Sequence, residues 1–197
     1  MLDSQVSTLL DYLTNKHPPI TTLSVEKARK IREIVYPELW GESEAVAQVE
    51  DRIIPGLAGV IPVRLYRPVK DDNSLPILVY FHGGGWTTCS IEAYDGFCRS
   101  LANGAGCLVV SVGYRLAPEH KFPAAVEDAY AATAWVASHA SEIGGDRDRV
   151  AVGGDSCGGN LAAVVALMAR ERKNLRPIFQ LLIYPCTDYE FSRPSCL

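Results

Sequence analysis

The sequence has no apolar run long enough to cross a bilayer. Its longest stretch of alanine and aliphatic residues, Leu161 to Ala169, falls far short of the roughly 20 residues a membrane helix needs. Stable membrane insertion is therefore not expected. There is no excess of positive charge: 19 lysines and arginines stand against 23 aspartates and glutamates, for a net charge of −4. That balance lacks the electrostatic footprint of a nucleic-acid binder, so no nucleic-acid partner is expected. Cysteines 89, 98, 107, 157, 186 and 196 include no C-x-x-C pair and no Cys/His cluster with zinc spacing. Reduced thiols and no bound metal are the expectation. No repeat or low-complexity segment breaks the chain. The opening segment MLDSQVSTLL has neither the basic start nor the long apolar stretch of a secretory signal, and the expected compartment is the cytoplasm. Histidine is the shortage with the largest consequence: there are four, and none follows residue 139.

What is present suffices for one domain with a sizeable core, since 48% of 197 residues are hydrophobic. Val6, Leu9, Leu10 and Leu13 recur at helical spacing, and HPPI at 17–20 breaks that helix. Ser24 suits the N-cap of a second helix with Ala28, Ile31, Ile34 and Val35 on one face. A weak strand over Ala47–Ile54 follows. Ile61, Val63 and Leu65 then alternate with Pro62, Arg64 and Tyr66, as in a half-exposed strand. PVKDDNS at 68–74 reads as a polar turn. From there the pattern alternates between buried strand and helix. Strands are expected at Ile77–Phe81, Cys107–Val112, Arg149–Val152 and Ile178–Tyr184, the first two and the last buried. Between them lie helical stripes through Tyr94, Phe97, Cys98 and Leu101, through Val126, Ala129, Tyr130, Thr133 and Val136, and through Leu161, Val164, Val165 and Met168. The first of these stripes is expected to end at Asn103-Gly104. The alternation predicts an α/β fold, a mostly parallel sheet with helices on both faces. Residues 1–45 read as a helical appendage or lid ahead of a core over 46–197.

Two glycine-rich stretches sit where the C-terminal ends of strands are expected, which is where ligands bind in open α/β sheets. Gly154-Asp155-Ser156-Cys157-Gly158 matches G-x-S-x-G between a strand and a helix, the context of a nucleophile elbow. The sharp turn excludes side chains two before and two after the serine, hence Gly154 and Gly158. Ser156 would present its hydroxyl at a helix N-terminus, where backbone N–H groups favour developing negative charge. His82-Gly83-Gly84-Gly85 follows an earlier strand. Backbone N–H groups are fixed donors for an oxyanion, and glycine lets the chain curl close around a substrate. The N–H groups of Gly84, Gly85 and Cys157 are the candidate oxyanion hole, with Gly83 serving the turn and His82 orienting the loop. The plainer alternatives are a helix-packing turn or phosphate cradle at 154–158 and a flexible loop at 82–85.

The segments HGGGW (82–86), YRLAPEHKFPAAVED (114–128), VGGDSCGGNLAA (152–163) and LLIYPCTD (181–188) resemble the hormone-sensitive lipase family of α/β-hydrolases in order and spacing. The resemblance runs from about Arg52 onward, and the two N-terminal helices are similar to that family's cap segment. It implies a serine carboxylesterase acting on short- to medium-chain acyl esters, with Ser156 as nucleophile, a small-molecule ester as partner and no cofactor. Most relatives carry alanine where this chain has Cys157, a position that contributes its backbone N–H. The resemblance further implies a structural loop in which Arg115, Glu119 and Asp128 pair, with His120 part of that loop rather than catalytic. His17 and His139 read as surface residues.

In this fold the triad order is Ser, then acid, then His. No histidine follows Ser156, and in relatives the aspartate of the segment holding Asp188 is not the triad acid. The expectation is therefore an incomplete core lacking its last strands: a fragment, a natural truncation, or half of a split protein. The strand at 178–184 would then be an apolar sheet edge. Two alternatives stay open. One is a non-catalytic small-ligand-binding protein of the gibberellin-receptor type, which shares the fold. The other is a non-functional truncated product.

Overall fold

The computed structural model describes residues 2–68, 74–188 and 192. Most of the expected polar turn, 69–73, lies outside them, as do 189–191 and 193–197, including Cys196. Two helices come first, α1 (Ser4–Lys16) and α2 (Val25–Trp40), joined by a 3-10 turn at Ile20–Thr22. Then follow β1 (Gln48–Gly56), β2 (Gly59–Arg67), β3 (Leu75–Phe81), α3 (Asp95–Ala105), β4 (Leu108–Val112), α4 (Ala124–Ser138), β5 (Gly145–Asp155), α5 (Cys157–Arg172) and β6 (Phe179–Ile183). The sheet order is β1-β2-β4-β3-β5-β6. β1 and β2 form an antiparallel hairpin, and β2 runs antiparallel to β4. β4, β3, β5 and β6 are mutually parallel. Among the described residues no helix is long and apolar enough to cross a membrane.

Alternation along the central strands divides the core into two. Ile77, Val79 and Phe81 of β3 join Val110, Val112, Val150 and Val152 on the face covered by α4 and α5. Leu78 and Tyr80 point the other way, into a cluster with Tyr94, Cys98 and Val109 under α3 and α2. Burial on both faces explains why these strands read as continuous apolar runs. Burial also pushes the thiol of Cys98 up to about 12 and that of Cys107 to about 11, so both behave as small apolar groups.

α2 is anchored to this second face. Ala28 and Val35 are buried, and the Trp40 Nε1–H donates to the Ala93 carbonyl at 2.9 Å. Tyr36 and Trp40 pack their rings against Tyr94, with centroids 5.3 and 5.8 Å away. Ser24 caps α2 by accepting from the Lys27 N–H, as its sequence position predicts. α1 forms at the expected place but buries no residue, and Val6, Leu9 and Leu10 of its stripe stay exposed.

Four expectations are revised. α3 runs past Asn103-Gly104 and stops at Gly106, whose φ of 59° lets its N–H reach back to Ala102 and Asn103. Gly104 stays within the helix because nothing there demands a left-handed residue. Glu119 does not pair with Arg115. It meets Arg29 of α2 at 2.7 Å, while Arg115 holds the buried Asp128 at 2.8 Å and Glu127 at 3.4 Å. His17 and His139 are half-buried rather than surface residues, and His139 stacks on Trp135 with centroids 4.5 Å apart. Finally, β6 is a strand but is not buried on both faces. Among the described residues it pairs with β5 alone, and Phe179 and Tyr184 are 62% and 73% exposed.

An apolar edge with unpaired backbone groups templates association. The chain should self-associate with rising concentration, and Phe179→Lys should shift it toward monomer. Sedimentation velocity checks this; an unchanged distribution in the variant would remove β6 as the contact.

Candidate active site

β3 and β5 are adjacent parallel strands in register, with Phe81 opposite Gly154. Their C-terminal ends therefore lie side by side, and both glycine motifs leave the sheet at the same place. Ser156 follows β5 directly and stands as the N-cap of α5, with φ 53° and ψ −117°. A non-glycine residue there is strained by roughly 1–3 kcal/mol and needs a surrounding structure that over-determines it. The surroundings do so. The Ser156 N–H donates to the Ile183 carbonyl at 2.9 Å, and its carbonyl accepts from Asn160 at 3.1 Å and Cys186 at 3.0 Å. A Cβ on Gly154 would strike the Gly158 backbone and the Phe81 carbonyl, and one on Gly158 would strike the Phe81 and His82 carbonyls. The two glycines are thus required by close backbone approach across the turn, and Ser156 carries the one side chain the turn presents, half-buried.

The 82–85 loop is held from beneath by Asp155, a buried carboxylate. Its Oδ1 accepts from the Tyr80 hydroxyl at 2.8 Å and the Gly83 N–H at 2.9 Å; its Oδ2 accepts from the Tyr94 hydroxyl at 2.8 Å. Burial, reinforced by Asp155, pushes both tyrosine hydroxyls far above their ordinary range, so both remain donors. Gly83 has no side chain because a Cβ would overlap the Asp155 carboxylate and come within 2.9 Å of the Tyr94 hydroxyl. The chain then turns through Gly84 and Gly85, at φ 115° and 62°. The N–H groups of Gly84 and Cys157 donate to no acceptor among the described residues. The Trp86 N–H donates to the Cys157 sulfur at 3.2 Å. Burial raises the Cys157 thiol, opposed by the N–H groups of Trp86 and Gly85 and by the Tyr114 hydroxyl.

His82 is 1% exposed and enclosed by its own loop. Nδ1 lies 2.7 Å from the Gly83 carbonyl, which can only accept, so the proton sits on Nδ1. Its ring stacks on Tyr114 at 4.4 Å, and the Tyr114 hydroxyl donates to the His82 carbonyl at 2.7 Å. His120 is exposed, and no histidine among the described residues hydrogen-bonds the Ser156 hydroxyl. Asp188 is exposed, with its carbonyl 3.7 Å from the Cys186 sulfur.

Two cavities meet at Gly85. One, about 620 Å³, is lined by Ser156, Gly84 and Thr87 on the sheet side and by Leu23, Ala28 and Arg32 of the N-terminal helices. The other, about 470 Å³, lies behind the loop between Trp86, Phe122, Val126 and Val164, with His120 and Asn160 at its margin.

A family model described as the alpha/beta hydrolase fold matches residues 78–196. The chain belongs to this family. Its sequence relatives include Esterase LipI of Mycobacterium tuberculosis (strain ATCC 25618 / H37Rv), 48% identical over 83% of this chain and 49% of that protein. Carboxylesterase NlhH of the same organism is 42% identical over 98% of this chain and 60% of that protein. Among solved structures, an ester hydrolase from the metagenome of Lake Arreo, complexed with a bipyridine phosphonate derivative, superposes with a TM-score of 0.94. It is 40% identical and covers 99% of this chain and 64% of its own. An esterase from Pyrobaculum calidifontis gives a TM-score of 0.84 at 46% identity, over 94% of this chain and 58% of its own. This α/β-hydrolase therefore spans about half to two thirds of the length of those relatives.

Motif reading located Ser156 and the glycines but missed Asp155, Tyr80, Tyr94 and Tyr114. The available signal was an aspartate at the end of an apolar strand, since a buried carboxylate demands donors.

Two predictions follow from this geometry. Asp155→Asn turns one acceptor into a donor facing hydroxyls and should cost about 1–3 kcal/mol, read from urea unfolding; a change within error would show that the loop is held otherwise. Burial lowers the pKa of His82 below its ordinary 6.5, so the unfolded chain binds the proton more readily. Stability should hold from pH 8 down to about 6.5 and then decline as pH falls toward the folded value. His82→Gln should flatten that decline between pH 6.5 and 5.5; an unchanged slope would assign it elsewhere.

Proposed function

We propose that this chain carries the nucleophile and oxyanion-binding half of a serine carboxylesterase that hydrolyses short- to medium-chain acyl esters. The observation that carries the reading is Ser156 at φ 53° on the N-terminus of α5, beside a loop whose Gly84 N–H has no acceptor among the described residues. In this reading the Ser156 hydroxyl attacks the ester carbonyl. The N–H groups of Gly84, Gly85 and Cys157 receive the oxyanion, the alcohol leaves with a proton, and water then releases the acid from the acyl-serine. Gly85 is already turned toward the Cys157 sulfur, a weak acceptor that an oxyanion would readily displace. His82 is a poor candidate for the base, because its ring is buried and its Nδ1 proton is engaged. His82 and Gly83 belong instead to the support of the loop. The base and the acid that orients it are assigned to protein outside the described residues. No cofactor enters the scheme.

Residues 1–45 are proposed as a cap on the core formed by 46–197. Supporting this, Arg29 of α2 donates to the Thr87 carbonyl at 2.8 Å and the Ala117 carbonyl at 2.9 Å, which places Ala28 and Arg32 over the Ser156 cleft.

A second reading is favoured by one feature: the Ser156 hydroxyl has no histidine partner among the described residues. The same cleft then holds a small ligand without turning it over. Hydrolysis of p-nitrophenyl butyrate by the 197-residue chain and by Ser156→Ala separates the two. Turnover that drops by at least about 10³-fold in the variant supports the esterase. Equal turnover rejects Ser156 as nucleophile, and tight binding of the ester by folded protein with no release of nitrophenol supports the ligand holder.

A further inference from the structure

A third cavity, of about 300 Å³, lies wholly within the N-terminal segment, between α1, the 3-10 turn and α2. Its walls are mostly aliphatic: Leu13, Pro18, Ile20, Leu23, Ile31 and Val35. Three polar side chains also line it, Thr14, His17 and Arg32. Only three side-chain polar atoms among the described residues are buried without a hydrogen-bond partner, and two of them are His17 Nε2 and Arg32 Nε. A buried polar atom left unpaired costs about 1–3 kcal/mol; Arg32 Nε can only donate, and His17 Nε2 donates when its ring carries the proton there, so one acceptor would serve both.

The guanidinium of half-buried Arg32 lies over the Tyr36 ring, 5.2 Å from its centroid, but has no anionic partner among the described residues. Arg32 pairs with no carboxylate among the described residues, and its one hydrogen bond runs from Nη1 to the Tyr36 hydroxyl at 3.3 Å. Burial pushes that hydroxyl up to about 12, so Tyr36 supplies no negative charge. Neighbouring carboxylates are engaged elsewhere. Glu26 pairs with Lys30 at 2.6 Å, Glu38 with Lys16 at 2.7 Å and Glu119 with Arg29 at 2.7 Å, while Glu33 accepts from the Ser90 hydroxyl at 2.8 Å. A water molecule could satisfy Nε but would leave the charge uncompensated. A carboxylate satisfies both, because the guanidinium edge matches its two oxygens.

We propose that this cavity binds a carboxylate borne on a short apolar chain, with Arg32 and His17 receiving the carboxylate and the aliphatic walls receiving the chain. Ile20, Leu23 and Arg32 line both this cavity and the Ser156 cleft. The carboxylate therefore has two sources, a free carboxylic acid or the far end of an ester lying in that cleft. The site itself does not require Ser156 to be a nucleophile.

The test is calorimetric titration of the 197-residue chain bearing Ser156→Ala, so that hydrolysis cannot intervene, with hexanoate and with 1-hexanol. Hexanoate should bind at least about tenfold more tightly. Arg32→Met, which keeps the bulk and removes the charge, should abolish that preference while leaving hexanol binding unchanged, with folding verified by circular dichroism. Equal binding of the two probes, no binding of hexanoate by folded protein, or an undiminished preference in Arg32→Met would each overturn the proposal. If Arg32→Met does not fold, the two-probe comparison on the parent chain decides alone. Monoethyl adipate then separates the sources. Tighter binding than hexanoate, with amide shifts reaching Gly84 and Gly85, supports the far end of an ester. Binding no tighter, with shifts confined to residues 13–35, supports a free acid. Neither result depends on turnover, so failure here would leave the esterase reading standing.

Discussion

The Asp155 carboxylate is the constraint on which the site depends. It ends β5, it is buried, and every donor it takes comes from elsewhere: Tyr80 on β3, Gly83 on the glycine loop and Tyr94 at the start of α3. One side chain thus fastens the loop after β3 to the turn after β5. A carboxylate in such a position is tolerable only if its oxygens are saturated. Three hydrogen bonds supply that saturation, and the same bonds set where the Gly84 and Gly85 backbone can lie. The cost of burying charge and the placement of the 82–85 loop are one physical fact.

The strain at Ser156 is supported in the same way. A residue at φ 53° persists because its N–H is held by the last residue of β6 and its carbonyl by α5 and the segment after β6, while Gly154 and Gly158 let the chain fold back on the end of β3. β6 is therefore part of the site although none of its own side chains enters the chemistry. Among the described residues its outer edge is open and apolar, so the element that clamps the back of the Ser156 turn is also a sparsely covered strand of the sheet.

The sequence made the sheet legible because strands buried on both faces must be apolar throughout, and Ile77–Phe81 and Leu108–Val112 are. It made Ser156, Gly154 and Gly158 legible because close backbone approach leaves glycine as the only choice. What it hid were features decided by distant partners. Nothing local in Glu119 says that its cation lies on α2, ninety residues away, rather than at Arg115. Gly104 and Gly106 look alike on paper, and only the geometry of the helix end selects the second. The tyrosines around Asp155 read as ordinary core residues, since a motif records spacing along the chain and a buried carboxylate recruits its donors across the sheet. The stripe on α1 was read correctly as a helix, yet periodicity alone does not say whether a partner covers it.

These contrasts divide the molecule by rigidity and by role. Ser156, the glycine loop and Asp155 rest on the central parallel strands, where hydrogen-bond ladders and two packed cores leave little freedom to adjust. The wall opposite them is built differently. It comes from α1, the 3-10 turn and α2, attached through the aromatic contacts of Tyr36 and Trp40, the hydrogen bonds of Arg29 and two buried side chains. An element with so few buried contacts opens at lower cost than the sheet it covers. The Ser156 turn is thus carried by the part that cannot easily change, and the wall that faces it, Arg32 included, by the part that can. Substitutions in the first 45 residues can therefore redirect what the cleft accepts without disturbing the Ser156 turn, because no backbone hydrogen bond of that turn involves them.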